Sequence, residues 1–498
     1  MSGILVFIAC VLLLGLGYLL YGKLAERVYG VELRMVMPCM RMSDGVDYVA
    51  MPTWRVFLIQ LLNIAGLGPV FGAFAGCLFG PVALIWIVAG CILFGAVHDF
   101  LAAVASAEQG GENLPELVGR YLGRFACYLM RALCVLLLLL VGVVFTMGPA
   151  GMLHTLVGEI PVIWWCVIIL LYYFLATVLP IDVIIGKIYP LFGVLFIFMA
   201  ISMAVALPFS ESGVLPELDM SLNLHPQGLS VWPMIFVTIA CGAISGFHAT
   251  QSPMMVRCLQ QARQLRPVFY GAMVVEGLVA LIWCTVGLSL GSLATDYVLV
   301  EAASGKMVPQ LAAAGQVGIS FRELILANPA IAVNQACTTL LGSTGALLAV
   351  LGVVVLPITS GDTAMRSCRL MVADMLRMPQ TTMLRRLALA LPLFALVILI
   401  ANIDFSIIWR YFGWANQALS CFTLWTLAVL LRRRGRCHWL VSLPAVFMTT
   451  MCVTYLLSAP DCSICIPIGI ATAIGSVAAA VALIGLIYIR KETAPGKN

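Results

Sequence analysis

The sequence predicts an all-α polytopic membrane protein with about thirteen transmembrane helices, and three observations predict it. Of its 498 residues 62% are hydrophobic and 10% charged, with a mean hydropathy of +1.08. A soluble domain carries roughly 45–50% apolar and about 25% charged residues, because a surface in water needs polar groups. Disorder is excluded by the same figures, since disordered chains are charged and poor in large apolar side chains. Apolar stretches of about 20 residues, the length that crosses a bilayer core of ~30 Å, recur along the whole chain. The basic residues, finally, segregate to alternate loops. A net charge of +5 says little alone, because cytoplasmic loops of membrane proteins are commonly basic.

The apolar segments run near 3–22, 54–79, 81–106, 125–147, 160–179, 187–207, 230–257, 268–290, 330–358, 387–402, 405–430, 438–457 and 464–488. The first has no positive residue before it, and Lys23, Arg27, Arg34 and Arg41 after it. This is the reverse of a secretion signal and places the N-terminus outside. Alternating from there, the cytoplasmic loops and helix flanks collect 24 of the 27 Lys and Arg residues. Among them are Arg257, Arg263, Arg266, Arg366, Arg369, Arg377, Arg385, Arg386, Arg432–Arg434, Arg490 and Lys491. Lys306, Arg322 and Arg410 fall on the outer side, where the loops 208–229 and 291–329 carry Glu211, Glu217, Asp219, Asp296 and Glu301. The C-terminus then lies inside. Dropping or adding a helix would scramble this segregation.

The seventeen cysteines mostly lie in apolar stretches (Cys10, Cys77, Cys91, Cys134, Cys166, Cys284, Cys421, Cys452), where Cys is a small buried hydrophobe. Cys462 and Cys465 share a short outer loop and could form a disulfide or a redox pair; without a second such pair they do not make a zinc site.

Two segments are interrupted. The second contains Asn63-Ile64-Ala65-Gly66-Leu67-Gly68-Pro69, and the seventh contains Gly242-Ala243-Ile244-Ser245-Gly246-Phe247-His248 followed by Gln251-Ser252-Pro253. Gly and Pro cost roughly 1 and 3 kcal/mol in helix interiors, and freed backbone survives in lipid only against protein or a wet cavity. Close packing through small residues, as at Gly72 and Gly76, is the competing explanation. The interruptions are five segments apart, an odd number, so the two helices cross in opposite directions. Residues 54–207 and 230–430 would then be two five-helix units of inverted topology, each opening with a broken helix. Residues 1–53 add a first helix with a cytoplasmic linker, 208–229 an outer loop, and 431–498 two extra helices with a cytoplasmic tail. This is a secondary-transporter plan, with substrate held near the midplane where half-helix ends meet. It resembles the leucine-transporter fold of the amino acid–polyamine–organocation superfamily.

Several stretches also resemble one family. They are Asp44-Gly45-Val46-Asp47-Tyr48, Gly66-Leu67-Gly68-Pro69-Val70-Phe71-Gly72, Gly95-Ala96-Val97-His98-Asp99-Phe100 and Ala240-Cys241-Gly242-Ala243-Ile244-Ser245-Gly246-Phe247-His248. Further along come Tyr270-Gly271-Ala272-Met273, Glu276-Gly277 and Thr359-Ser360-Gly361-Asp362-Thr363-Ala364-Met365-Arg366. In order and over most of the chain, they resemble the carbon starvation protein A transporters, although this chain is shorter than the long members. The resemblance implies a multi-pass protein of the bacterial cytoplasmic membrane that takes up peptides, or pyruvate in some members, on an ion gradient.

Ionisable groups inside a membrane are costly and point to function. His98 and Asp99 are adjacent and cannot share a helix face, so one is expected toward a cavity and the other toward a neighbouring helix. A proton-coupled carrier needs such groups; a hydrogen-bonded structural pair is the alternative. His248 and Gln251 are expected to line the cavity with Asn63, Gly66, Gly68, Pro69, Gly246, Phe247 and Ser252, reading a carboxylate or a peptide group. Ser245 or Ser252 could instead cap the second half-helix. Glu276 either binds a proton or pairs with an arginine of the preceding loop. The ninth segment adds Asn334 and Gln335 as candidate substrate contacts. In the leucine-transporter fold the equivalent helix supplies hydroxyls to a sodium site, which makes Thr338, Thr339 and Ser343 candidate ligands by resemblance. Such hydroxyls also commonly bond their own backbone. Asp362 and Arg366 read first as a helix-end ion pair and then as a gate. Arg410, in the aromatic stretch Trp409–Trp414, could attract a carboxylate at the entrance or snorkel to the interface.

No HExxH, GxSxG or GxxxxGK[ST] occurs, and the five histidines (His98, His154, His225, His248, His438) are scattered. Membrane enzyme and primary pump are therefore disfavoured, and a sensor or channel is the remaining alternative class. The expected partners are a small solute and the lipid bilayer, with no nucleic acid and no cofactor. The coupling ion is H+, with Na+ as the alternative.

Overall fold

The computed structural model of the chain describes residues 3–179, 185–210, 213–216, 219–301, 307–313, 316–460 and 464–489. Glu211, Glu217, Lys306, Cys462, Arg490 and Lys491 lie outside the described residues. Ten helices are long and apolar enough to cross a membrane: Gly3–Tyr29, Val82–Glu108, Arg124–Val157, Ile188–Phe209, Ala262–Leu290, Pro329–Met375, Met383–Ile400, Phe405–Arg433, Trp439–Ser458 and Ile468–Tyr488. The pair Thr53–Ile64 and Gly68–Phe79, bent by 53°, makes an eleventh span. The shorter helix Val162–Val178 and the interrupted pair Val231–Thr238 and Gly246–Val256 occupy the remaining two places in the predicted order.

Burial separates the spans into an inner and an outer set. In Phe405–Arg433 and Ala262–Leu290, 83% of the most apolar window is buried, against 17% in Gly3–Tyr29 and 22% in Ile468–Tyr488. Inside lipid an exposed Leu or Ile costs nothing, so association there rests on close packing and polar contacts. Accordingly Arg124–Val157 packs along Pro329–Met375, with Gly142 against Met365. Trp86, Phe94, Phe236 and Phe447 stack edge to face and join Val231–Thr238 to Trp439–Ser458.

Three features depart from the expected elements. The segment expected at 330–358 is a helix of 47 residues, Pro329–Met375. At 1.5 Å per residue it measures about 70 Å, far more than a bilayer core of ~30 Å. Gly342 breaks it, with φ +66° and ψ 179°. Thr338, Thr339 and Ser343, on either side of Gly342, have exposed side chains, while most residues from Val350 to Ala373 are buried. The buried part of the helix therefore lies further along the chain than the predicted segment, and Thr359–Arg369 is buried helix rather than loop. Its charges depress the hydropathy average, yet each is met by protein. Second, the region 291–329 carries an antiparallel hairpin, Tyr297–Glu301 with Met307–Leu311. It also forms the helix Phe321–Ala327, closed by a Ser320/Glu323 capping box. Third, Arg124–Val157 runs ten residues past its expected end.

Candidate functional site

The two broken helices meet at their interruptions, and glycine makes the meeting possible. A Cβ at Gly68 would stand 2.2 Å from Cys241 Cβ, one at Gly72 2.7 Å from the Thr238 carbonyl, and one at Gly76 2.3 Å from Ile239. This stripe, spaced four residues apart, packs the second half of the first broken helix onto the unwound stretch 239–245. Interruption and close small-residue packing are thus the same feature. Gly242 has φ +87°, and a Cβ there would also meet Ala280 at 2.5 Å. Gly66 lies against Phe145, and Pro69 opens the second half-helix in a position that needs no N–H.

The freed backbone is satisfied by named side chains. The Leu62 carbonyl, at the end of the first half-helix, accepts from Thr359 Oγ1 (2.9 Å) and Ser360 Oγ (3.0 Å). At the start of Gly246–Val256, Asn416 Oδ1 accepts from the Phe247 N–H (2.7 Å) and from the Ser245 hydroxyl (3.0 Å). The cap therefore comes from a distant helix. Ser245 is not itself the cap, and Ser252 donates to the His248 carbonyl of its own helix (3.0 Å). Sequence spacing finds caps inside a segment, and Asn416 lies outside it.

Beside the second interruption lies a chain of four ionisable groups, all fully buried. His98 Nδ1 and Asp99 Oδ1 are 2.8 Å apart, Asp99 Oδ2 and His248 Nδ1 are 2.8 Å apart, and His248 Nε2 stands 3.4 Å from Glu276 Oε2. His98 and Asp99 do not diverge as expected: the short His98 side chain turns back to Asp99, which reaches on to His248. Glu276 pairs with His248 rather than with a loop arginine, since Arg266 reaches Glu26 at 3.0 Å. His98 Nε2, His248 Nε2 and both Glu276 oxygens lack an aligned hydrogen bond. The first two links are therefore hydrogen bonds, and the third is a 3.4 Å approach of His248 to Glu276 without an aligned hydrogen bond. The Cys241 thiol, His248 and Glu276 also offer donor atoms within 4.8 Å of one another, close enough to share one divalent ion.

At the first interruption Asp362 takes a different place from the one predicted. Its Oδ2 accepts from Tyr172 (2.6 Å) and its Oδ1 from Tyr189 (2.9 Å), both across from neighbouring helices. Arg366 does not close on it; its guanidinium reaches Asp47 (3.3 Å) and the carbonyls of Ala176 and Leu179. Arg369 approaches the same Asp47 carboxylate at 3.9 Å. The expected helix-end ion pair does not form, because both residues lie inside a buried helix with other partners to hand. Asp47 belongs to a turn in which Asp44 Oδ1 accepts from the N–H groups of Val46, Asp47 and Tyr48. Burial pushes the Asp44 carboxyl up, but these three donors and Arg257 outweigh it and hold the carboxyl below its ordinary value. A basin of about 590 Å³ opens at this arginine-rich face, lined by Arg41, Asp47, Tyr48, Arg257 and Asp374.

The remaining candidates scatter. Gln251 donates to Thr250 (2.9 Å) and accepts from Ser367 (3.3 Å). Phe247 packs edge-on to Phe145. Asn334 and Gln335 sit on the outer part of the long helix, where Gln335 contacts Asp296 at 3.3 Å, away from the interruptions. Thr338, Thr339 and Ser343 are exposed and form no cation site with the first broken helix; Thr359 and Ser360 hold that position instead. Arg410 lines a cavity of about 60 Å³ with Gly68, Thr238, Cys241, Trp409 and Tyr455, directly over the two interruptions.

Interrupted helices meeting over a buried ionisable chain define a multi-pass membrane transporter, not an enzyme. The family model for carbon starvation protein CstA matches residues 2–158 and 151–455, and the chain belongs to that family. An uncharacterized membrane protein of Haemophilus influenzae is 40% identical over 57% of this chain and 90% of its own length. The peptide transporter CstA of Escherichia coli is 24% identical over 90% of the chain and 80% of that protein. The pyruvate/proton symporter BtsT of Escherichia coli is 26% identical over 53% of the chain and 45% of its own length. Among solved structures, Mhp1, a nucleobase-cation-symport-1 family transporter, superposes with a TM-score of 0.55 at 13% identity, covering 90% of this chain and 96% of its own. A manganese transporter of Eremococcus coleocola superposes at 0.53 with 14% identity, covering 90% and 98%. These likenesses show the leucine-transporter-type fold and nothing of the solute.

Proposed function

We propose that this protein imports short peptides across the bacterial cytoplasmic membrane by alternating access, driven by the proton gradient. The observation that carries the reading is the buried chain His98–Asp99–His248–Glu276, which ends at the interruption of the second broken helix. A proton received at Glu276 can pass to His248 Nε2, and the imidazolium so formed is stabilised by Asp99. Uptake of that proton alters the packing around residues 239–245, where the solute would bind. The peptide class is supported by the Escherichia coli peptide transporter, which aligns over most of both chains. The reading includes an outside N-terminus and inverted repeats over 54–207 and 230–430.

A pyruvate-sized carboxylate is the second reading. The space over the two interruptions is about 60 Å³, small for a peptide, and Arg410 lines it. Sodium coupling is the alternative for the ion, supported by the oxygens of Leu62, Thr359 and Ser360 at the first interruption.

The test uses purified protein in liposomes, with di- and tripeptides and pyruvate offered under imposed proton or sodium gradients. Proton-driven peptide uptake that falls at least ten-fold in His248→Ala and Glu276→Gln is the expected result. Pyruvate uptake alone transfers the assignment to the second reading. Uptake indifferent to both gradients removes the coupling.

A further inference from the structure

The first half-helix, Thr53–Ile64, carries two buried amides whose hydrogen bonds are not all made. Val56, Ile59, Gln60 and Asn63 are spaced three and four apart, so they share one face. All four are fully buried, while Trp54 is exposed. Gly246–Val256, Pro329–Met375 and Ile185–Ala206 pack against this half-helix. Gln60 finds no partner for Oε1 or Nε2 among the described residues. Asn63 Oδ1 accepts from the Tyr189 hydroxyl (3.3 Å), and its Nδ2 has no partner. On the neighbouring helices Gln251 is engaged with Thr250 and Ser367, and Thr359 and Ser360 with the Leu62 carbonyl.

These atoms do nothing for the fold. A buried amide without partners is costly, and a leucine at position 60 would fill similar space without that cost. Gln60 offers one acceptor and one donor side by side. Asn63, about 5–6 Å away between Cβ atoms, adds a second donor. The complement of that set is an extended peptide. The N–H and C=O of one of its residues point to the same side of the chain and pair with Gln60, and a further carbonyl accepts from Asn63. A small carboxylate such as pyruvate has no hydrogen to give Gln60 Oε1.

We propose that Gln60 and Asn63 form a site that reads a peptide backbone, on the cytoplasmic side of the first interruption, and that a peptide occupies it when the helices packed on this half-helix separate. The space lined by Arg410 begins at Gly68, on the other side of the interruption, and is a different place. The inference rests on the peptide reading and on the outside N-terminus, and it names what the solute must present: a free backbone N–H beside a carbonyl. Side chains of the solute do not enter this pairing, so peptides of differing sequence share the site.

The experiment is equilibrium binding, without any gradient, of trialanine and of trialanine methylated at both peptide nitrogens to the purified protein in lipid nanodiscs, with thermal unfolding alongside. The wild type is expected to bind the unmethylated peptide about ten-fold more tightly, as a hydrogen bond left unmade in a buried site requires. Gln60→Leu should bind trialanine about ten-fold more weakly, lose the preference between the two peptides, and melt no lower than wild type. A lower melting temperature in Gln60→Leu, or its failure to fold, assigns the amide to the fold and overturns the proposal. A preference that persists in Gln60→Leu is steric and overturns it too, as does a wild type that does not distinguish the two peptides. A wild type that binds pyruvate and no peptide removes the peptide reading and this site with it. Peptide binding that is equal in wild type and Gln60→Leu removes this site alone.

Discussion

Asn416→Ala is the perturbation whose size the structure fixes best. Asn416 Oδ1 is the acceptor for the Phe247 N–H at 2.7 Å and for Ser245 Oγ at 3.0 Å, and all three residues are buried. Truncation leaves both donors without it. Ser245 recovers part of its loss, because Cys241 Sγ lies 3.6 Å from its hydroxyl. The Phe247 N–H has no such substitute, since it opens a half-helix whose first amides point away from their own turn. An unsatisfied buried donor costs about 1–3 kcal/mol, and the lost contacts of the side chain add to that. Thermal unfolding in detergent, followed with a thiol-reactive fluorophore, is a suitable assay because most described cysteines are free and buried. Ser420→Ala is the control: it lies one turn further along the same helix and donates to the Gln417 carbonyl of its own backbone (2.8 Å). Its change should stay within about 0.5 kcal/mol. Equal melting of the two variants would refute the claim that a distant helix caps the second half-helix.

Four further outcomes follow from the same geometry. Gly68→Ala drives a Cβ to 2.2 Å from Cys241 Cβ, which should cost about 1–3 kcal/mol as overpacking; a double-mutant cycle with Cys241→Gly should recover most of it. Arg366→Ala strips Asp47 and two carbonyls of their buried donor, at about 3–5 kcal/mol by melting, and Arg366→Lys should not rescue because an ammonium lacks the guanidinium fork. The lowered Asp44 carboxyl stabilises its turn above the unfolded-state value and loses that contribution as pH falls through the folded one. Hydrogen exchange at Val46, Asp47 and Tyr48 should therefore accelerate in acid, and Asp44→Ala should remove that acceleration. Treatment with EDTA should leave uptake unchanged; loss on chelation, restored by zinc, would turn Cys241, His248 and Glu276 into a metal site.

The candidate site was partly legible because its residues sit beside backbone-breaking ones. His248 follows a glycine-rich interruption, and Glu276 is an isolated acid in an apolar helix, so each stands out against its surroundings. Their partnership did not stand out. His98-Asp99 lies about 150 residues from His248, and adjacency on one helix suggested that the pair would split rather than bridge. Asn416 lies about 170 residues from the half-helix it caps, and nothing in its own segment points there. Nothing in the segments that hold Tyr172 and Tyr189 marks a hydroxyl that will meet an acid. The hydroxyl-bearing face of the ninth segment was placed one break too early, because Thr338, Thr339 and Ser343 share its hydropathy while Thr359–Arg369 carries the charges that hydropathy rejects.

By itself the sequence determined what a bilayer dictates. Apolar runs of span length must be helices, since lipid leaves no partner for an open backbone. Gly and Pro inside two of them must mark interruptions, for the energetic reason that breaks any helix. Tertiary structure alone decided which side chains answer the groups so freed: Thr359 and Ser360 for Leu62, Asn416 for Phe247, Tyr172 and Tyr189 for Asp362, Asp99 for His248. Hydropathy and helical period are local properties, repeating every few residues. Satisfying a buried polar atom is a matter of a few ångströms in space, and in each of these pairs the answering residue comes from a separate helix.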